Sequence, residues 1–82
     1  MRLVYFAQVR EAIGLDAEER DVAPDQSIKS LVELLSAEDG RYAAAFDDRA
    51  KLRFALDQQM AKADAIIGKA KELAIFPPVT GG

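Results

Sequence analysis

Apolar residues recur along this chain with two periods, and each change of period marks an element. From Arg2 to Gln8 the residues are mostly β-branched, aromatic or large and apolar. They predict a strand with Leu3, Tyr5 and Ala7 on one face and Val4 and Phe6 on the other. Val9 to Leu15 reads as a short turn stopped at Gly14. Asp16 to Ala23 is charged, with few apolar residues, and predicts a solvated edge strand returning from the first. The period then lengthens. After the turn Pro24-Asp25-Gln26-Ser27, with Ser27 or Asp25 as N-cap, the apolar positions Ile28, Leu31, Val32 and Leu35 follow one helical face. That helix should end near Asp39-Gly40. Arg41 to Phe46 is alanine-rich and predicts a second, short helix. Leu52, Phe54 and Leu56 alternate with Arg53, Ala55 and Asp57, the mark of a half-buried strand. Gln58 to Lys71 supports either a helix or a loop with a short strand at Ala65 to Ile67. Glu72 to Phe76 is a final strand, stopped by Pro77-Pro78, which donate no ladder hydrogen bonds.

This order predicts an α+β roll, a mixed sheet with one main helix packed across one face. The first and last strands are the most apolar and belong side by side in the centre, and the helical crossover lets strands run parallel. The β-grasp roll of ubiquitin has this arrangement, which pattern alone does not separate from a ferredoxin-like sandwich. The expected core is Leu3, Tyr5, Ile28, Leu31, Leu35, Leu52, Phe54, Leu73 and Ile75. Residues 1–76 form one domain and residues 77–82 an extended, flexible C-terminal tail.

Composition narrows the chemistry. At 82 residues, with 50% hydrophobic and 30% charged, the chain has little room for a core, a deep substrate pocket and a catalytic constellation together. It has no Cys and no His, which removes thiolate catalysis, disulfides, Cys-based metal sites and the commonest general base. No metal site is expected. A net charge of -3 without a basic stripe argues against nucleic acid. No segment approaches the apolar length of a membrane span, and the N-terminus lacks a signal-peptide pattern, so a cytoplasmic location is expected.

The tail holds the remaining chemistry. Beyond Pro77-Pro78 the chain ends Val79-Thr80-Gly81-Gly82. Those four residues reach at most about 13 to 14 Å when extended. The prolines stiffen the base of this arm, and the glycines strip its tip of side chains so that backbone enters a narrow site. Such an arm suits delivery of the terminal carboxylate into another protein's pocket. The carboxylate is ionised at pH 7 and resists nucleophilic attack, so it needs activation, for instance by adenylation. The chain has no Gly-x-x-x-x-Gly-Lys-[Ser/Thr] phosphate loop, so the activating machinery must belong to a partner.

Two stretches, Phe6-Ala7-Gln8-Val9-Arg10-Glu11 and Phe76-Pro77-Pro78-Val79-Thr80-Gly81-Gly82, resemble the small subunits of molybdopterin synthase, a ubiquitin-like sulfur-carrier family. The resemblance implies a β-grasp fold and a C-terminal thiocarboxylate on Gly82, with Gly81 beside it. It implies no bound cofactor, ATP being used by an adenylating and sulfurating partner enzyme. It also implies a large synthase subunit that uses the sulfur to convert a pterin precursor in molybdenum cofactor biosynthesis. Two copies of each subunit would form a heterotetramer, in which this chain is a non-catalytic donor. The partner-binding residues implied are Phe6, Met60 and Phe76 as an apolar patch, with Arg10 and the arm residues Pro77, Pro78, Val79 and Thr80. The sequence departs from the family pattern at Lys69-Ala70-Lys71-Glu72, where a turn such as Asp-Gly-Asp-Glu is usual, and at Asp57, where Asn is common. Related readings are a sulfur carrier for thiamine or another pathway, a ubiquitin-like modifier joined to lysines, and a plain interaction domain.

Overall fold

The computed structural model describes residues 1–78. Strand β1 (Arg2–Tyr5) buries Leu3 and Tyr5 to 0% and 1% exposure and leaves Val4 half-buried on the opposite face. It is shorter than its apolar run. At Ala7 the backbone turns to φ 51, and Ala7–Ile13 forms helix α1 in place of the expected strand end and turn. Val9 and Ile13, four residues apart, explain this, because a helix buries both on one face, to 2% and 1% exposure. Gly14, at φ 86, stops the helix, and its N–H donates to the Arg10 carbonyl at 2.8 Å.

Strand β2 (Ala17–Glu19) returns antiparallel to β1 as an edge, as its charges suggested. Yet Glu18 faces inward. One of its carboxylate oxygens accepts from the Tyr5 hydroxyl at 2.7 Å and from the Tyr42 hydroxyl at 2.5 Å. Arg20 stands 5.7 Å over the Tyr42 ring, its Nε 3.5 Å from Glu18, and pairs with Glu38. This cluster fastens the edge to the helices.

Helix α2 (Ile28–Glu38) starts where Ser27 Oγ accepts from the Ser30 N–H at 3.1 Å and buries Ile28, Leu31, Val32 and Leu35. Helix α3 (Gly40–Ala45) is capped by Asp39, which accepts from the Arg41 N–H at 2.8 Å. That bond, joined by hydrogen bonds from the Arg41 guanidinium at 3.4 Å, holds the exposed Asp39 carboxyl below its ordinary pKa. A 3-10 turn (Arg49–Lys51) leads into β3 (Arg53–Leu56).

The ambiguous segment resolves into neither reading as a whole. Strand β4 (Gln59–Ala61) pairs antiparallel with β3 through a two-residue turn, Asp57-Gln58, with φ 48 and 71. The strand expected at Ala65 to Ile67 is a single bridge from Ile66 to Ser27. Ile67, buried to 4%, explains why this loop closes over the start of α2. Asp57 Oδ1 accepts from the N–H groups of Lys71 and Glu72 at 2.9 and 3.0 Å, tying the hairpin turn to strand β5 (Glu72–Phe76).

The sheet order is β2-β1-β5-β3-β4, with β1 and β5 parallel at its centre and the other pairs antiparallel. This is the mixed sheet of the β-grasp fold. All the expected core residues are buried. Val9, Ile13, Val32, Tyr42, Phe46 and Ile67 join them in one cluster between the helices and one face of the sheet.

Candidate functional site

Because the helices cover one face of the sheet, the alternation of each strand sends its remaining side chains to the other. Register aligns five of them across every strand: Ala17, Val4, Ala74, Ala55 and Met60 are successive cross-strand neighbours. This apolar row was not foreseen. Alternation places Val4 and Phe6 on a common face, but a row of neighbours depends on pairings that no local pattern encodes.

Phe6 and Phe76 come together at the end of this face. The corner at Ala7 leaves Phe6 outside the core, 47% exposed, and β5 ends at Phe76, half-buried. Their ring centroids are 6.3 Å apart at 86°, an edge-to-face contact. Met60 is 66% exposed on the same face but stands on β4, separated from β5 by β3. It extends the apolar row and does not belong to the aromatic pair. Arg10 sits in the last turn of α1, its Nε 3.7 Å from Asp16 Oδ1, both side chains largely exposed.

Pro77 and Pro78 follow Phe76 directly and are half-buried. With Phe6, Val9, Ala44 and Leu52 they line a groove of about 1070 Å³ between α1, α3 and the end of β5. Val79, Thr80, Gly81 and Gly82, on which the tail chemistry rests, lie outside the described residues.

Among the described residues no acidic cluster could hold a metal ion, and no helix is long and apolar enough to cross a membrane. The perturbed tyrosines are structural. Burial, reinforced by the Glu18 carboxylate that each hydroxyl serves, pushes Tyr5 and Tyr42 above the ordinary phenol range, away from any role near neutral pH. What the arrangement offers is a largely apolar sheet face whose aromatic end meets Pro77 and Pro78.

The chain matches the ThiS family over residues 3–82. It is 40% identical over 83 residues to the molybdopterin synthase sulfur carrier subunit of Escherichia coli (strain K12), covering 100% of this chain and 99% of that protein. The Haemophilus influenzae protein of the same description is 34% identical over 84 residues, with 100% and 99% covered. The fold is shared with SAMP1 from Haloferax volcanii, at a TM-score of 0.73 and 24% identity over 100% of this chain and 98% of that one.

Proposed function

The chain belongs to the ThiS family, and from that premise we propose that it is the sulfur-carrier subunit of a molybdopterin synthase. The observation that carries this reading is full-length identity of 34 to 40% with sulfur carrier subunits, in a chain whose family match runs to residue 82.

The chemistry follows from the terminus. A carboxylate oxygen of Gly82 attacks the α-phosphorus of ATP in an activating partner, expelling pyrophosphate. A sulfide-level nucleophile then displaces AMP from the acyl carbon and leaves a thiocarboxylate. The loaded tail passes to the large synthase subunit, where its sulfur is transferred to a pterin precursor. Each step needs groups that this chain lacks, so the chain donates sulfur without catalysing the transfer. ATP is bound by the activating enzyme and not by the carrier. The face bearing Phe6, Val4, Phe76 and Met60 docks the large subunit, and Pro77-Pro78 aim the arm into it. A heterotetramer with two copies of each subunit, located in the cytoplasm, completes the reading.

The test is intact mass after incubation with ATP, the activating enzyme and a sulfur source. Exchange of oxygen for sulfur adds about 16 Da, confined to the C-terminal peptide. A mass unchanged after that incubation, while a known carrier in the same mixture gains sulfur, would overturn the proposal.

A further inference from the structure

The docking face is mostly apolar, and the charges on its β1, β2 and β5 strands are paired within the chain. Arg2 Nε lies 3.9 Å from Glu72 Oε1, and Glu19 Oε2 lies 3.5 Å from the N-terminal amine. Arg53 is different. Register sets it directly across from Phe76, on the face opposite the buried Phe54. It is exposed, and among the described residues it holds no ion pair.

Nor is its side chain left to wander. Nη1 donates to the carbonyl oxygens of Ala50 at 3.3 Å and Leu52 at 3.0 Å. Those bonds place the guanidinium without cancelling its charge, so little side-chain entropy remains to be lost on binding. A held cation thus stands beside Phe76, where the arm begins. Covering it with an apolar surface would strand a desolvated charge, whereas a carboxylate accepts two parallel N–H bonds from such a fork.

We propose that Arg53 is a specificity-determining contact that takes an Asp or Glu carboxylate of the large synthase subunit as the arm is delivered. This rests on the docking face described above and adds to it a defined polar partner. An apolar patch accepts many surfaces; one fixed guanidinium at its aromatic end rejects those without an acceptor there.

The test is calorimetric titration of the full chain against the purified large subunit from the same organism. Arg53→Glu should raise Kd roughly 30-fold or more, because it sets like charges together at the interface. Arg53→Lys keeps the charge but loses the fork, and should raise Kd by roughly 3- to 10-fold. Melting temperatures of both variants should stay near that of the parent, since the side chain is exposed. Arg49→Glu, on the 3-10 turn outside the sheet, should change Kd by less than about threefold. A loss at Arg49 equal to that at Arg53 would mean general electrostatics and overturn the inference. So would Arg53→Glu binding like the parent while Phe76→Ala binds weakly, which leaves the docking face standing. If Arg53→Glu and Phe76→Ala both bind like the parent, the docking face fails as well.

Discussion

Leu31 lies at 2% exposure on the buried face of α2, inside the cluster shared by helices and sheet. Its replacement by Ala removes apolar contact and leaves a cavity that close-packed neighbours fill poorly, at a cost of about 2 to 5 kcal/mol. Urea melts should show that loss, and one below about 1 kcal/mol would mean that the face repacks freely. Gln58 presents the opposite case. Its φ of 71 is one that L side chains rarely adopt, in a two-residue hairpin turn where both central residues have positive φ. Gly adopts that angle without strain, so Gln58→Gly should stabilise the fold by about 0.5 to 1 kcal/mol despite its freer unfolded chain. A lower urea midpoint would show that Gln58 makes contacts worth more than the strain. Residues of the two kinds differ in legibility. Leu31 announces itself by helical period, whereas nothing local reveals that Arg53 faces Phe76, because that neighbourhood is created by the pairing of β3 with β5.

Elements were legible wherever one period ran long enough to exclude the other. Helix α2 and strand β5 match their apolar patterns, and the central pairing of β1 with β5 follows from their being the most apolar strands. Helix α1 was hidden because the apolar run of β1 leads straight into it, and a run of that length fits either period. Strand β4 was hidden for another reason: Gln59-Met60-Ala61 has little β propensity and exists through its ladder to β3. The edge strand β2 concealed its role, since Glu18 looks solvated in sequence but receives the Tyr5 and Tyr42 hydroxyls in the fold. That cluster makes alkaline pH the vulnerable side. Both phenols are held above their usual value of about 10 by burial and by hydrogen bonding to Glu18, so the unfolded chain loses those protons first. Their contribution is therefore complete below about pH 10 and is lost as pH rises beyond it. The melting temperature should hold between about pH 7 and 9 and fall above about 10, and the double variant Tyr5→Phe/Tyr42→Phe should start lower and fall less steeply. An equal slope in the double variant would assign the alkaline loss to other groups.

At the scale of the molecule, the proposed carrier role assigns folding and delivery to separate parts of the chain. Among the described residues, the core cluster draws on residues from Leu3 to Ile75, and none of its members lies beyond β5. Removing Gly82 should therefore leave that described core in place. The melting temperature should move by less than about 2 °C. Sulfur chemistry should respond very differently. Deletion leaves a carboxylate in place, now on Gly81, so the reactive group is unchanged in kind and in pKa class. What changes is reach, since the arm shortens by one residue, about 3.3 to 3.6 Å. In the proposed reaction an adenylating pocket would hold the α-phosphorus of ATP at a fixed depth, and displacement of a reacting atom by about 1 Å already costs on the order of 100-fold. Thiocarboxylate formation by the Gly82-deleted chain should therefore fall at least about 100-fold in single-turnover mass measurements. Gly81→Ala, which keeps the length but adds a Cβ near the tip, should lie between that variant and the parent. Loading of the shortened chain at the parental rate would show that reach does not set the reaction, and the arm would lose its assigned purpose.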